Sequence, residues 1–169
     1  MTTSEAATPF AGFLSRLDEV EGGLRRAASR TQPSGLTDPD PGAEERWEAG
    51  QVWAHLAEFC PYWIAETRKV LAGPSGEVVF GRVKTDEGRI AAIADHQHDS
   101  VGVLAARTAA GVRQLREFLR EIDRTAGAWD VVGVHPKLGP MSVTLITEDF
   151  LVGHLEEHLR QLDALATSE

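Results

Sequence analysis

Apolar positions recur at helical spacing in four long stretches of this chain. After Phe10 come Phe13, Leu14, Leu17, Val20, Leu24 and Ala28, the period of one buried helix face. The helix they predict stops before Gln32-Pro33-Ser34-Gly35, where breakers interrupt the pattern. Residues 33–42 hold three prolines and read as a loop. A second helix is expected from about Glu44 to Leu71 with Pro61 inside it. Proline removes a backbone donor and crowds the preceding turn, so a kink is expected near Ala57 to Pro61.

Residues 73–99 form a long connection, with an apolar run at Val78-Val79-Phe80 and a short helix expected near Glu87 to Ala94. The third long helix should be capped by Asp99 or Ser100, with Leu104, Thr108, Gly111, Leu115, Leu119 and Ile122 as its inner stripe. Residues 127–141 make another connection, apolar from Val131 to Val134 and broken by Pro136, Gly139 and Pro140. A fourth helix starts near Ser142 or Thr144 and runs to about Leu165. Four amphipathic helices without strand alternation predict an all-α four-helix bundle. We expect one domain over residues 1–169, with 1–7 a loose terminus.

Charge and composition narrow the function classes. The formal net charge of -9 disfavours a nucleic acid or an anionic membrane surface as partner. No apolar run approaches the roughly 20 residues of a membrane span, and the N-terminus lacks the basic and apolar stretches of a signal peptide. The cytoplasm is the expected location, in keeping with the single Cys60. Cys60 itself reads as a buried, inert thiol.

The candidate chemistry lies in the histidines. His154 and His158 are one turn apart on the fourth helix, roughly 40° from each other. They share a direction with Thr147, Phe150, Leu151, Leu155, Leu162 and Leu165, while Asp149, Glu156, Arg160 and Asp163 lie opposite. On the second helix His55 shares its face with Val52, Phe59, Trp63 and Val70; Ile64 and Arg68 fall on the far side, and Trp53 lies away from the histidine. All three imidazoles are therefore expected inside the bundle. Three neutral imidazoles from two helices suit one divalent ion, zinc or nickel foremost and Fe(II) as well, with open positions left over. Each remaining ring nitrogen needs its own partner, and Gln161 is a candidate. The bland alternative is a set of core histidines bonded to backbone or carboxylates.

His154-Leu-Glu-Glu-His158 also matches the inverted zinc-protease pattern, with Glu157 as base. Only eleven residues follow His158 in this sequence, too few for the downstream ligand, so that reading is set aside. Asp95-His96-Gln97-His98-Asp99 is read as a solvated loop and His135 as a loop histidine.

Two segments resemble the DinB/YfiT-like superfamily, in particular its actinobacterial branch with mycothiol-dependent maleylpyruvate isomerase. One is Trp47-Glu-Ala-Gly-Gln-Val-Trp-Ala-His55-Leu56. The other runs from His135-Pro-Lys-Leu-Gly-Pro140 through His154-Leu-Glu-Glu-His158-Leu-Arg-Gln161-Leu162. The resemblance implies an up-down-down-up bundle with its long crossover at 73–99, and a metal held by His55, His154 and His158. One departure is Glu48, where the family often carries Ser or Thr as a helix cap.

The expected function is metal-dependent transfer or isomerisation with a low-molecular-weight thiol such as mycothiol as cosubstrate. Tyr62, Glu66 and Glu157 are its candidate pocket polar groups, and a small molecule its substrate. Two alternatives stand beside it: a metal-dependent hydrolase of a small molecule, and a non-catalytic binding or dimerisation module. A homodimer is left open.

Overall fold

In the computed structural model, which describes residues 8–39 and 44–167, the predicted helices form. The terminus at 1–7 and part of the proline-rich loop lie outside the described residues. Helix α1 spans Phe10–Ser29 and buries Phe13, Leu17, Val20, Leu24 and Ala27. Helix α2 spans Ala49–Ala72 and passes through Pro61. It starts later than the pattern predicts. Residues 44–48 are not helical, and Glu48 caps the helix, its own N–H donating to Gln51 Oε1 at 3.0 Å. A reciprocal bond of this kind serves in place of a Ser or Thr cap.

The crossover carries α3 (Glu87–His96), capped by Asp86, and leads into α4 (Val101–Asp123), capped by Ser100. The whole predicted inner stripe of α4 is buried. After a 3-10 turn at Ala128–Asp130, the chain forms a hairpin of β1 (Val132–His135) and β2 (Gly139–Ser142). The pairing is antiparallel, with Gly133 opposite Met141. Val79 of the crossover bridges Val134 in parallel, with Phe80 N–H donating to the Val134 carbonyl at 3.1 Å. This small sheet corrects the expectation of no strands. It ties the long crossover to the last connection.

The final helix comes in three parts: α5 (Val143–Thr147), capped by Ser142, a π-helical turn at Glu148–Val152, and α6 (Gly153–Thr167). The π turn corrects the expectation of one uniform helix.

Side-chain contacts fix the topology. Arg116 of α4 pairs with Asp18 and Glu21 of α1, and Thr8 reaches Asp123, so these helices run antiparallel. Arg68 of α2 pairs with Glu121, while Gly111 sits against Cys60; α2 and α4 therefore run parallel. Arg16 reaches Glu156 and Arg30 reaches Asp163, which makes α1 and α6 parallel. Trp63 stacks on Phe150 while His55 meets His154 and His158, so α2 and α6 are antiparallel. The result is an up-down-down-up four-helix bundle.

Because α2 is flanked by both α4 and α6, Ile64, expected on its far side, is buried in the core as well. Arg68 does stay outside, its guanidinium 4.8 Å from the Phe118 ring centroid. Trp53 is buried and donates its indole N–H to Gln32 Oε1 at 2.8 Å. Among the described residues no helix is long and apolar enough to cross a membrane.

Candidate metal centre

Helices α2 and α6 bring His55, His154 and His158 together. His154 Nε2 lies 3.0 Å from His55 Nε2 and 3.0 Å from His158 Nε2. His55 and His158 are buried, and His154 is half-buried. The rings meet edge to face, which aims the three nitrogens at a common point.

Each of the other ring nitrogens faces an acceptor three residues further along its helix. His55 Nδ1 lies 2.8 Å from Glu58 Oε1, and His158 Nδ1 lies 2.7 Å from Gln161 Oε1. His154 Nδ1 lies 3.6 Å from Glu157 Oε2. The hydrogen-bonded acceptors fix the proton on Nδ1 of His55 and His158, and the nearby Glu157 carboxylate favours the same tautomer of His154, which leaves each Nε2 a lone pair. Three converging lone pairs repel one another. A single proton on His154 Nε2 would satisfy at most one of its neighbours. A divalent cation satisfies all three, so the donor set fits a metal ion better than it fits a hydrogen-bonded core. A tetrahedral ion with bonds of about 2.0–2.1 Å separates its ligand atoms by roughly 3.3 Å, within a few tenths of an ångström of the two spacings to His154; all three ligand atoms lie within 4.8 Å of one another.

Burial sets the charge state of the rings. Loss of solvation, with the two facing imidazoles, holds His55 well below the usual histidine value. Burial, with the facing His154 imidazole, pushes His158 down to about 3. Both rings are thus neutral near pH 7, the form that binds metals. Glu157 is held below the usual carboxylate range by His154.

The site opens on a cavity of about 360 Å³, lined among others by Trp47, Trp63, Arg82, Arg89, Phe150 and Glu157. Trp47, just before α2, stacks on His158 with ring centroids 5.9 Å apart. Phe59, wholly buried, packs against the rings of His55 and His154. Arg82 reaches in from the crossover and bonds Glu58 Oε1 at 2.5 Å.

The structure brings Glu157 to the cavity but not Tyr62 or Glu66. Tyr62 lies under the Arg82 guanidinium. Glu66 is buried and accepts the Gly81 N–H at 2.8 Å, so both support the crossover. His135 is buried and stacks on Phe150. Its Nε2 bonds the Arg82 carbonyl at 3.2 Å, and its Nδ1 accepts from Lys137 and Leu138 N–H. It locks the hairpin to the crossover and does not line the cavity. His96 is exposed and pairs with Asp99. Cys60 is buried. Sequence reasoning found Gln161 but missed Glu58 and Arg82. Glu58 had a signal, since all three site histidines share a His-x-x-Glu/Gln spacing.

No protein-family model and no curated protein matches the sequence. Solved structures do. The bundle superposes on YfiT from Bacillus subtilis, described as a probable metal-dependent hydrolase with an unusual four-helix bundle topology, with a TM-score of 0.73. Identity is 17%, and the match covers 99% of this chain and 93% of that one. This is the DinB/YfiT-like fold. The same fold occurs in a mycothiol-dependent maleylpyruvate isomerase, matched with a TM-score of 0.66 at 17% identity. That match covers 96% of this chain and 63% of the isomerase, so the YfiT-like bundle described here spans less than two thirds of that enzyme.

Proposed function

We propose that this protein is a divalent-metal-dependent enzyme of small-molecule chemistry, transferring or isomerising a substrate with the help of a low-molecular-weight thiol such as mycothiol. The observation that carries the reading is the convergence of three Nε2 atoms, 3.0 Å apart at His154, at the wall of a cavity of about 360 Å³. His55, His154 and His158 would hold the ion. When bound, zinc or nickel supplies Lewis acidity and lowers the pKa of a coordinated thiol or water toward neutrality.

The protein's own groups do the rest. Glu58 and Gln161 hold the Nδ1 protons of His55 and His158 and so fix their rings. Glu157, at the cavity wall, is an anionic group placed to accept a hydrogen bond from a bound molecule. Trp47, Trp63 and Phe150 give the cavity flat apolar walls, which suit the carbon skeleton of a small substrate and displace water from it. Tyr62 and Glu66 serve by holding the crossover that carries Arg82. We place the enzyme in the cytoplasm, with a homodimer as its candidate assembly.

A hydrolase is the second reading, favoured by one fact: the match to the YfiT structure takes in 93% of that chain, against 63% of the isomerase. The ligands would be the same. Turnover of a panel of esters, amides and activated electrophiles by metal-loaded protein, with and without added thiol, separates the two. Activity that requires the thiol supports transfer or isomerisation, and activity indifferent to it supports hydrolysis. Inactivity across the panel, with metal loaded, speaks for a non-catalytic module.

A further inference from the structure

The last helix does not keep one phase. Val143, Ile146 and Thr147 are its buried residues before the π turn, and Leu155, His158, Leu162 and Leu165 are those after it. Counted at 100° per residue, the mean buried direction moves by roughly 90° between the two sets, close to one residue's rotation. The wider π turn absorbs that residue. It lets Leu155 and Leu162 enter the core and leaves His154 and Gln161 on the cavity wall.

Two features hold this turn. The first is Gly153, whose N–H bonds the Glu148 carbonyl. A Cβ on Gly153 would stand 2.3 Å from that oxygen, so the turn has no room for a side chain. The second is Arg16 on α1. Its guanidinium donates to both carboxylate oxygens of Glu148, at 2.6 and 2.7 Å, and to both of Glu156, at 2.8 and 2.7 Å. Glu148 opens the π turn, while Glu156 lies midway between His154 and His158 on α6. A planar donor bonded in pairs to two carboxylates fixes their relative orientation. Here that orientation is the rotation of the ligand helix against the segment before it.

We propose that Arg16 is a positioning residue for the three-histidine site: through Glu148 and Glu156 it sets the π turn, and with it the angle at which His154 meets His55 and His158. Arg16 touches neither the cavity nor any histidine, so it acts only through the helix. The inference rests on the metal-binding reading for its consequence but not for its geometry, and the test separates the two.

The experiment compares wild type with Arg16→Met, Arg16→Lys and Gly153→Ala by two readouts. Histidine side-chain NMR of the metal-free protein reports ring geometry, with exposed His96 as internal control. Titration with Co(II) reports affinity and, through the visible absorption bands, ligand geometry. The expected result is a shift of the His154 signals with His96 unmoved in all three variants. Co(II) affinity should fall tenfold or more, the scale seen when groups that orient metal ligands are lost, with altered band intensity. Arg16→Lys keeps the charge but not the paired bonds, and should behave as Arg16→Met does. If Arg16→Met is too unstable to study, Arg16→Lys and Gly153→Ala carry the test. Variants that lose thermal stability yet keep wild-type histidine signals would overturn the proposal and leave Arg16 a simple brace. Wild-type protein that fails to bind Co(II) would instead overturn the metal reading, while the NMR arm still decides the role of Arg16.

Discussion

His55 Nδ1 lies 2.8 Å from Glu58 Oε1, and the same oxygen accepts from Arg82. One carboxylate thus joins a candidate metal ligand to the loop that crosses the bundle. The arrangement holds the ring in the orientation that sends Nε2 toward His154, and it makes the imidazole a stronger donor.

Glu58→Gln is expected to weaken metal binding by about 10- to 100-fold, because an amide holds the Nδ1 proton less firmly and removes the nearer of Arg82's two carboxylate partners. Competition against a chelator of known affinity measures this. An unchanged affinity would show that Glu58 serves the crossover alone.

Stability toward acid should depend on Glu148. Its hydrogen bonds to Arg16 hold its pKa below the usual carboxylate value in the folded state. As pH falls, the unfolded chain takes up that proton first. The contribution of Glu148 is complete above the unfolded value and is lost as pH falls through the lowered folded value. Glu148→Gln should therefore be less stable at neutral pH and show a flatter acid limb when denaturation midpoints are plotted against pH. The side chain is 42% exposed, so solvent screening keeps the effect small. Parallel curves for the two proteins would contradict this.

Cys60 should be unreactive in the folded protein. Burial pushes its thiol well above the usual range, and the thiolate is the form that reacts. Labelling with a chromogenic disulfide should proceed only at the rate of unfolding, in step with denaturant. Prompt labelling of the native protein would place Cys60 at an accessible site.

Phe59 is wholly buried, with its ring 4.9 Å from that of His154. Phe59→Ala should cost about 3–5 kcal/mol, the usual loss for a large core side chain, measured by urea denaturation of the metal-free protein. A cost below about 1 kcal/mol would mean that the packing around the histidines is loose.

The parts of this molecule legible in its sequence are those set by periodicity. The 3.6-residue period located the helices, and the phases of His55, His154 and His158 put all three rings on inward faces. Gln161 followed from the same geometry. The hairpin escaped because Val132–His135 and Gly139–Ser142 are too short to show alternation, and Gly139-Pro140 reads as a breaker. The π turn escaped because one inserted residue leaves no compositional trace beyond Gly153. Arg82 was out of reach, since its approach to Glu58 depends on how the crossover packs against the hairpin. By helical phase Tyr62 and Glu66 flank the His55 face of the second helix, and phase alone points them toward the cavity. The structure shows their side chains taken up by Arg82 and the Gly81 N–H.

The central claim is one divalent ion on His55, His154 and His158, and elemental analysis of purified protein free of any histidine tag tests it most directly. The account predicts close to one equivalent of metal per chain in the wild type and its loss in His55→Ala, with the helical content of the two proteins alike. Metal-free wild-type protein that also fails to take up zinc or nickel on titration would contradict it, as would metal that persists undiminished in His55→Ala.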